Sequence, residues 1–107
     1  MFAKIALALF ALSSTALAYS DNRSPNLSEC YVGIARIDVN AYYNDQQEFS
    51  QGSCFIKYAT NGSGQQAVRG QVIKDKAEYI LAHCGKSHGS YGTGNCDKCH
   101  VTVNYRS

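Results

Sequence analysis

An α+β fold is predicted by three features of the sequence: a small antiparallel sheet with one main helix laid across it, stapled by disulfides. Apolar side chains recur at helical spacing over residues 66–84, residues 100–106 alternate apolar and polar, and five cysteines fall within a short chain.

The first 18 residues stand apart from that domain. Lys4 supplies a positive start, Ile5 to Leu12 an apolar run, and Ala16-Leu17-Ala18 the small residues that a signal peptidase accepts, so cleavage is expected after Ala18. The run is shorter than the roughly 20 residues a helix needs to cross a bilayer, and no later stretch is apolar for as long. A secreted protein without a transmembrane segment follows.

Residues 19–28 hold Ser, Asn, Asp and the only proline, Pro25, with almost nothing apolar, and read as a mobile leader. The single domain is expected over 29–107. Its first element, Cys30 to Val39, is rich in β-branched and aromatic residues and ends in the alternation Ile37, Asp38, Val39, Asn40, which predicts a strand. Residues 41–52 are polar with islands at Tyr42, Tyr43 and Phe49, consistent with a loop or a weakly marked strand.

Ser53 to Thr60 places Cys54, Ile56 and Tyr58 on one face and Phe55, Lys57 and Ala59 on the other, as in a strand buried on at least one side. The turn Asn61-Gly62-Ser63-Gly64 follows. Val68, Val72, Ile73, Ala77, Ile80, Leu81 and Cys84 then recur at three- and four-residue spacing and predict the main helix, roughly Gln66 to Cys84. Gly85 stands where a helix-ending left-handed residue belongs, and His83 lies in the last turn. Gly70 inside this stretch weakens a helix by up to about 1 kcal/mol relative to Ala and points to close backbone packing. The glycine-rich stretch 85–98 reads as a flexible excursion. Val101, Val103 and Tyr105 then alternate with His100, Thr102, Asn104 and Arg106 in an antiparallel, half-buried strand.

Charge excludes some partners. The chain has 10 Lys+Arg against 8 Asp+Glu, and the signal segment removes only Lys4, leaving 9 against 8 and a net charge of +1. No basic run or face is available to neutralise a string of phosphates, so neither nucleic acid nor an anionic membrane is implied.

The cysteines bear on stability, because a domain of this size gains little from its core. In an oxidising route they form a disulfide framework, and an odd number leaves one thiol free, capped, or joined to a second molecule in a disulfide-linked dimer. Cys54 and Cys84 bound one strand-turn-helix unit and are expected to pair. Cys30 and Cys99 begin strands expected to be neighbours and form the second pair, which leaves Cys96 odd; Cys96 and Cys99 can exchange roles.

Three constellations could carry chemistry. Cys96-Asp97-Lys98-Cys99-His100 has the spacing of a c-type haem attachment, but the only Met is Met1 and no helix surrounds the motif, so no cofactor is expected. His83, Cys84, His88, Cys96, Cys99 and His100 include residue types that bind zinc, but disulfides would consume the sulfurs, so no metal is expected. Glu48 or Glu78 with a histidine could serve acid–base hydrolysis, as in a small secreted ribonuclease, yet both carboxylates are explained by surface polarity. No catalytic residue is assigned. Asn22, Asn26 and Asn61 each open an N-glycosylation sequon, with Pro25 disfavouring the first. Exposed aromatics would mark a binding surface, for which Tyr42, Tyr43 and Tyr91 are the candidates.

From Gly52 onward, the chain combines the cysteine-bearing strand CFIKYAT, an Asn-Gly turn, a helix closing in His83-Cys84-Gly85, a glycine-rich cysteine loop and the terminal Val101-Thr102-Val103-Asn104-Tyr105. This half of the chain resembles fungal killer toxins of the KP4 type and is similar to small cysteine-rich secreted effectors of the Ecp2-like kind. The resemblance implies an α/β-sandwich and a non-enzymatic toxin or virulence effector acting on a competing microbe or a host plant, through a protein target that the sequence does not name. The chain has fewer cysteines, places its Cys-x-x-Cys directly before the last strand and lacks a counterpart to the toxins' basic segment, so no functional residue is carried over.

Overall fold

A computed structural model describes residues 24–84 and 88–107. The expected signal segment 1–18, Asn22 and Gly85 lie outside these residues. Among the described residues the architecture is α+β, with two helices and two antiparallel sheets.

The first element is helix α1, Leu27–Ala35, where a strand was expected. The capping residues decide this locally. Asn26 is the N-cap, and its side-chain oxygen accepts from the Glu29 N–H at 3.1 Å and from the Ser28 hydroxyl at 2.6 Å. Cys30, Gly33 and Ile34 then face inward, with Ile37 continuing the same spacing beyond the helix end. The Arg36 and Ile37 N–H groups donate to Gly33 and Ile34, the tightened last turn that ends many helices. Because Pro25 is buried and the helix starts at Leu27, the end of the segment expected to be a mobile leader belongs to the fold.

The region 41–52 contributes two short strands, β1 (Tyr42–Tyr43) and β2 (Gln47–Glu48). The cysteine-bearing strand is β3, Cys54–Ala59. A short β4, Val68–Arg69, pairs with β1 and leads into helix α2, Gly70–His83. The expected flexible excursion contains strand β5, Gly89–Gly92, and the chain ends in β6, His100–Tyr105.

The main sheet has the order β2-β3-β6-β5, all antiparallel. Central β6 pairs with β3 from Tyr105↔Cys54 to His100↔Ala59, and with β5 from Val103↔Gly89 to His100↔Gly92. Ile56, Tyr58, Val101 and Val103 on one face meet Cys30, Ile34 and Ile37 from the α1 side and Ile73, Ala77, Ile80 and Leu81 from α2. This is the expected apolar face of β6, but the strand is not half-buried: Thr102 and Asn104 on the other face are 1% exposed. Strands flank β6 on both sides, and the Thr102 hydroxyl is satisfied by Ser90 at 2.8 Å.

Helix α2 starts later than the periodicity suggests, because its first turn is capped by another segment. The Gly70 and Gln71 N–H groups donate to the carbonyls of Ala41 and Val39, at 2.8 and 3.1 Å. Gly70 permits this approach: a Cβ there would lie 1.9 Å from the Asp38 carbonyl oxygen.

The disulfides correct the expected pairing. Cys30 is joined to Cys54 and Cys96 to Cys99, and Cys84 carries the free thiol. With residues 30–35 helical and packed on β3, Cys30 comes to the start of β3, at 5.2 Å Cα–Cα from Cys54, and not to β6. Cys96 and Cys99 close their own turn, in which the Cys99 N–H donates to the Cys96 carbonyl. Cys84 remains at the end of α2 against Gly89. Among the described residues no helix is long and apolar enough to cross a membrane.

Candidate functional site

The exposed rings of Tyr79 and Tyr91 meet where α2 faces β5. Lys76, Tyr79 and His83 recur at the i, i+3, i+7 spacing of one helix face, beside the inward stripe of Ile73, Ala77 and Ile80. Tyr91 projects from β5 on the same side of the sheet as Val101, opposite which it pairs. The rings stack: Tyr79 lies 4.1 Å from His83 at 16° and 4.7 Å from Tyr91 at 18°. The Lys76 ammonium sits 4.9 Å from the Tyr91 ring centre, within cation–π range.

Tyr79 and Tyr91 keep 42% and 41% of their surface exposed, so this ladder is ordered by its own contacts and still open to a partner. The acids of α2 are engaged by other side chains. Glu78 pairs with Lys74 at 2.6 Å and Asp75 accepts from Gln71 at 2.8 Å, both i,i+4 contacts. The half-buried thiol of Cys84 adjoins His83 in sequence, and burial raises its pKa above the ordinary thiol value.

Of the three tyrosines singled out from sequence, only Tyr91 joins this ladder. Tyr42 is exposed on β1. Tyr43 packs edge-on against Phe49 at 5.1 Å, and its hydroxyl accepts from the Asp38 N–H, so it serves the fold. Tyr79 and Lys76 are not among the sequence candidates and His83 is among them only for zinc, although their shared helical spacing is legible in the sequence. A second exposed apolar stripe, Leu27, Tyr31 and Val32, lies on the outer side of α1. Both charged side chains near it are turned to the 49–53 loop: Glu29 accepts from Ser53, and Arg36 donates to the Phe49 and Ser50 carbonyls.

The other constellations are dispersed or consumed. The bridge between Cys96 and Cys99 removes both sulfurs from haem attachment and from zinc ligation. Glu48 pairs with Arg106 at 3.2 Å and Glu78 with Lys74, so each candidate acid is held by a cation. His83 is stacked on Tyr79, whereas His100 contacts Asn61 across the sheet edge.

Two carboxylates have strongly directional partners. Hydrogen bonds from the Ser53 N–H and hydroxyl hold Glu29 below the ordinary glutamate value, and the Thr60 N–H does the same for Asp45. Both stabilise turns. Of the sequons, Asn26 uses its side-chain oxygen as the α1 cap, and Asn61 directs its side-chain nitrogen at the Lys98 carbonyl. The chain matches no family model, no curated protein and no solved structure.

Proposed function

We propose that this protein is a secreted, non-enzymatic effector or killer-toxin-like protein of fungal type, which acts on a host plant or competing microbe by binding a target protein. The observation that carries the proposal is the exposed ladder Lys76–Tyr91–Tyr79–His83. Rigid aromatic side chains with polar edges bind at low entropic cost and are frequent energetic centres of interfaces. The ladder rests on a covalently stapled scaffold, which supports recognition without large rearrangement.

The alternative, a small secreted hydrolase, requires two titratable groups converging on one point. Glu48 and Glu78 are committed to Arg106 and Lys74, which favours binding over hydrolysis.

Pull-down with the disulfide-bonded secreted protein from host and competitor extracts tests the proposal, with a Tyr79→Ala/Tyr91→Ala variant run in parallel. A specific target should be retained by the parent protein and lost by at least tenfold in the variant, with unchanged circular dichroism. Equal retention by both would remove the ladder from recognition. Hydrolysis of RNA by the parent protein would overturn the non-enzymatic assignment.

A further inference from the structure

Strand β5 is an outer strand of the main sheet, with β6 as its neighbour on one side and none on the other. Two hydrogen bonds beyond the strand ends fix which of its backbone groups face outward. The Arg106 N–H donates to the Ser53 carbonyl at 2.9 Å, and the Thr93 N–H to the Cys99 carbonyl at 3.1 Å. Bonded and unbonded pairs alternate along an antiparallel ladder, so His100, Thr102 and Asn104 bond to β3, whereas Val101 and Val103 bond to β5. Gly89 and Tyr91 therefore spend their N–H and C=O groups on β6, and those of Ser90 and Gly92 point away from the sheet. The hydroxyls of Ser90 and Thr102, 2.8 Å apart, agree with this register, since side chains approach most closely in an unbonded pair. Among the described residues nothing bonds to the outward groups of Ser90 and Gly92.

Sheet edges are ordinarily defended against added strands by charge, proline or extreme shortness. The opposite edge, β2, has two residues and carries the Glu48 carboxylate with its Arg106 partner. From Gly89 to Cys96 there is neither a charged residue nor a proline. Gly92 is exposed, and a Cβ built on it would meet only the Cys99 carbonyl oxygen, at 3.8 Å.

This edge is continuous with the aromatic ladder, because Tyr91 belongs to both. In a strand added to β5, the residue opposite Tyr91 would form an unbonded pair on the α2 side, with Cβ atoms roughly 4.5–5.5 Å apart. It would lie beside the Tyr91 ring and the Lys76 ammonium, 4.9 Å from the ring centre. The neighbouring acids of α2 are engaged by other partners, Asp75 by Gln71 and Glu78 by Lys74, so a carboxylate from the added strand suits Lys76. A second copy of the chain suits it less. Pairing β5 with itself about Tyr91 would bring two Lys76 ammoniums to one pair of rings, like charge beside like.

We propose that β5 is a strand-addition site: the target presents an extended segment that pairs with the Ser90 and Gly92 backbone and sets an acidic side chain against Lys76. The proposal rests on the binding role given above to the ladder and specifies how the partner is held. Main-chain hydrogen bonds supply attachment, and Tyr91, Tyr79 and Lys76 choose among strands. An exposed ion pair contributes little by itself, so the carboxylate governs selectivity more than affinity.

Selection of a phage-displayed library of random linear peptides on the immobilised, disulfide-bonded protein tests this without the natural target. Enriched peptides should share one Asp or Glu, and on binding should protect the Ser90 and Gly92 amides from hydrogen exchange. Gly92→Pro removes one outward N–H and leaves the bonds to β6 intact, so it should weaken binding by about tenfold or more. Should that variant unfold, the peptides decide: methylating the alternate amides that face β5 must abolish binding, and methylating the others must spare it. Selection on Lys76→Glu should return Lys or Arg in place of the acid. No enriched peptide, or peptides indifferent both to Gly92→Pro and to methylation, would overturn strand addition. If such indifferent peptides are lost with Tyr79→Ala/Tyr91→Ala, the ladder still binds and only the edge fails. Peptides lost with Gly92→Pro and kept by the double tyrosine variant would support the edge and overturn the ladder reading. Concentration-dependent dimerisation that Gly92→Pro abolishes would assign the edge to a second copy and overturn the proposal.

Discussion

The carboxylate of Glu29 accepts from both the backbone N–H and the hydroxyl of Ser53, each at 2.9 Å, and so fastens the first turn of α1 to the turn before β3. Ser53 completes the arrangement by accepting the Asn26 N–H at 3.0 Å. A glutamate at this position of a capping box ordinarily folds back on its own N-cap. Here the serine of another segment receives that N–H, and a local cap becomes a tertiary contact.

Stability should fall in acid in two ranges. Glu29 and Asp45 are held below their reference values of 4.5 and 3.8, so their contribution is present above those values and is lost as pH falls through the lower folded ones. His100 is shifted below 6.5, so the unfolded chain takes up its proton first and stability already declines as pH drops beneath that value. Thermal unfolding followed from pH 8 to pH 3 should show both declines, and His100→Gln should flatten only the upper one.

Gly70→Ala should be among the most damaging single-methyl additions. The new Cβ would meet the Asp38 carbonyl, which belongs to the loop capping α2. Backbone has to move, at a cost of about 1–3 kcal/mol or more. Gly62→Ala meets no neighbouring atom and carries only the cost of its left-handed backbone, roughly 1 kcal/mol. Denaturant titration should rank Gly70→Ala below Gly62→Ala; the reverse order would contradict the packing of α2 on the 38–41 loop.

The two bridges should differ in what they contribute. On the chain-entropy relation, the Cys30–Cys54 bridge, with a sequence separation of 24, is worth about 3.5 kcal/mol, whereas Cys96–Cys99, with a separation of 3, is worth about 2 kcal/mol. Paired Cys→Ser variants compared by urea unfolding should show the larger loss for the first pair. Peptide mapping without reduction should recover these two links and leave Cys84 alkylatable.

Cys84 should react slowly for a free thiol. It is half-buried and its pKa is raised by that burial, so little thiolate is present near neutrality. Labelling with a thiol-reactive disulfide should give one modified residue, at a rate below that of a free cysteine peptide at the same pH and rising steeply in alkali. A rate equal to the peptide's would show the thiol to be open to solvent.

Asn61 should be a poor glycan carrier despite its sequon. The acceptor nitrogen is engaged by Lys98 and His100, and the residue adopts a φ of +54° within the turn. Asn26 keeps its cap through its oxygen, leaving the nitrogen for modification. Deglycosylation mass mapping of protein secreted from a eukaryotic host should therefore find occupancy at Asn26 above that at Asn61.

Strands β3 and β6 are legible in the sequence because their alternating side chains face two different surroundings, and the middle of α2 because Ile73, Ala77 and Ile80 repeat at its period. Helix α1 is obscured by β-branched and aromatic residues such as Tyr31, Val32 and Ile34, whose local preference is overridden by the Asn26 cap and by packing on β3. The pair Asn26 and Glu29, three residues apart, was the available signal. A helix there, in place of a strand, also moves Cys30 to the start of β3, and with it the whole bridge pattern changes. Of the ladder, Tyr91 stands out in a glycine-rich stretch, whereas Tyr79 is hidden among helical residues until β5 supplies the ring it stacks on.

The bridges join the first cysteine to the second and the fourth to the fifth, leaving the third unpaired. For a chain that emerges amino terminus first into an oxidant, each native pair thus consists of two sulfurs that arrive one after the other. Cys30 and Cys54 can join before α2 and β6 have left the ribosome. The one stage at which a wrong sulfur stands ahead in the queue is the arrival of Cys96, when Cys84 is the free thiol already present. Correct oxidation then depends on Cys99 following three residues later and competing through a much shorter chain segment.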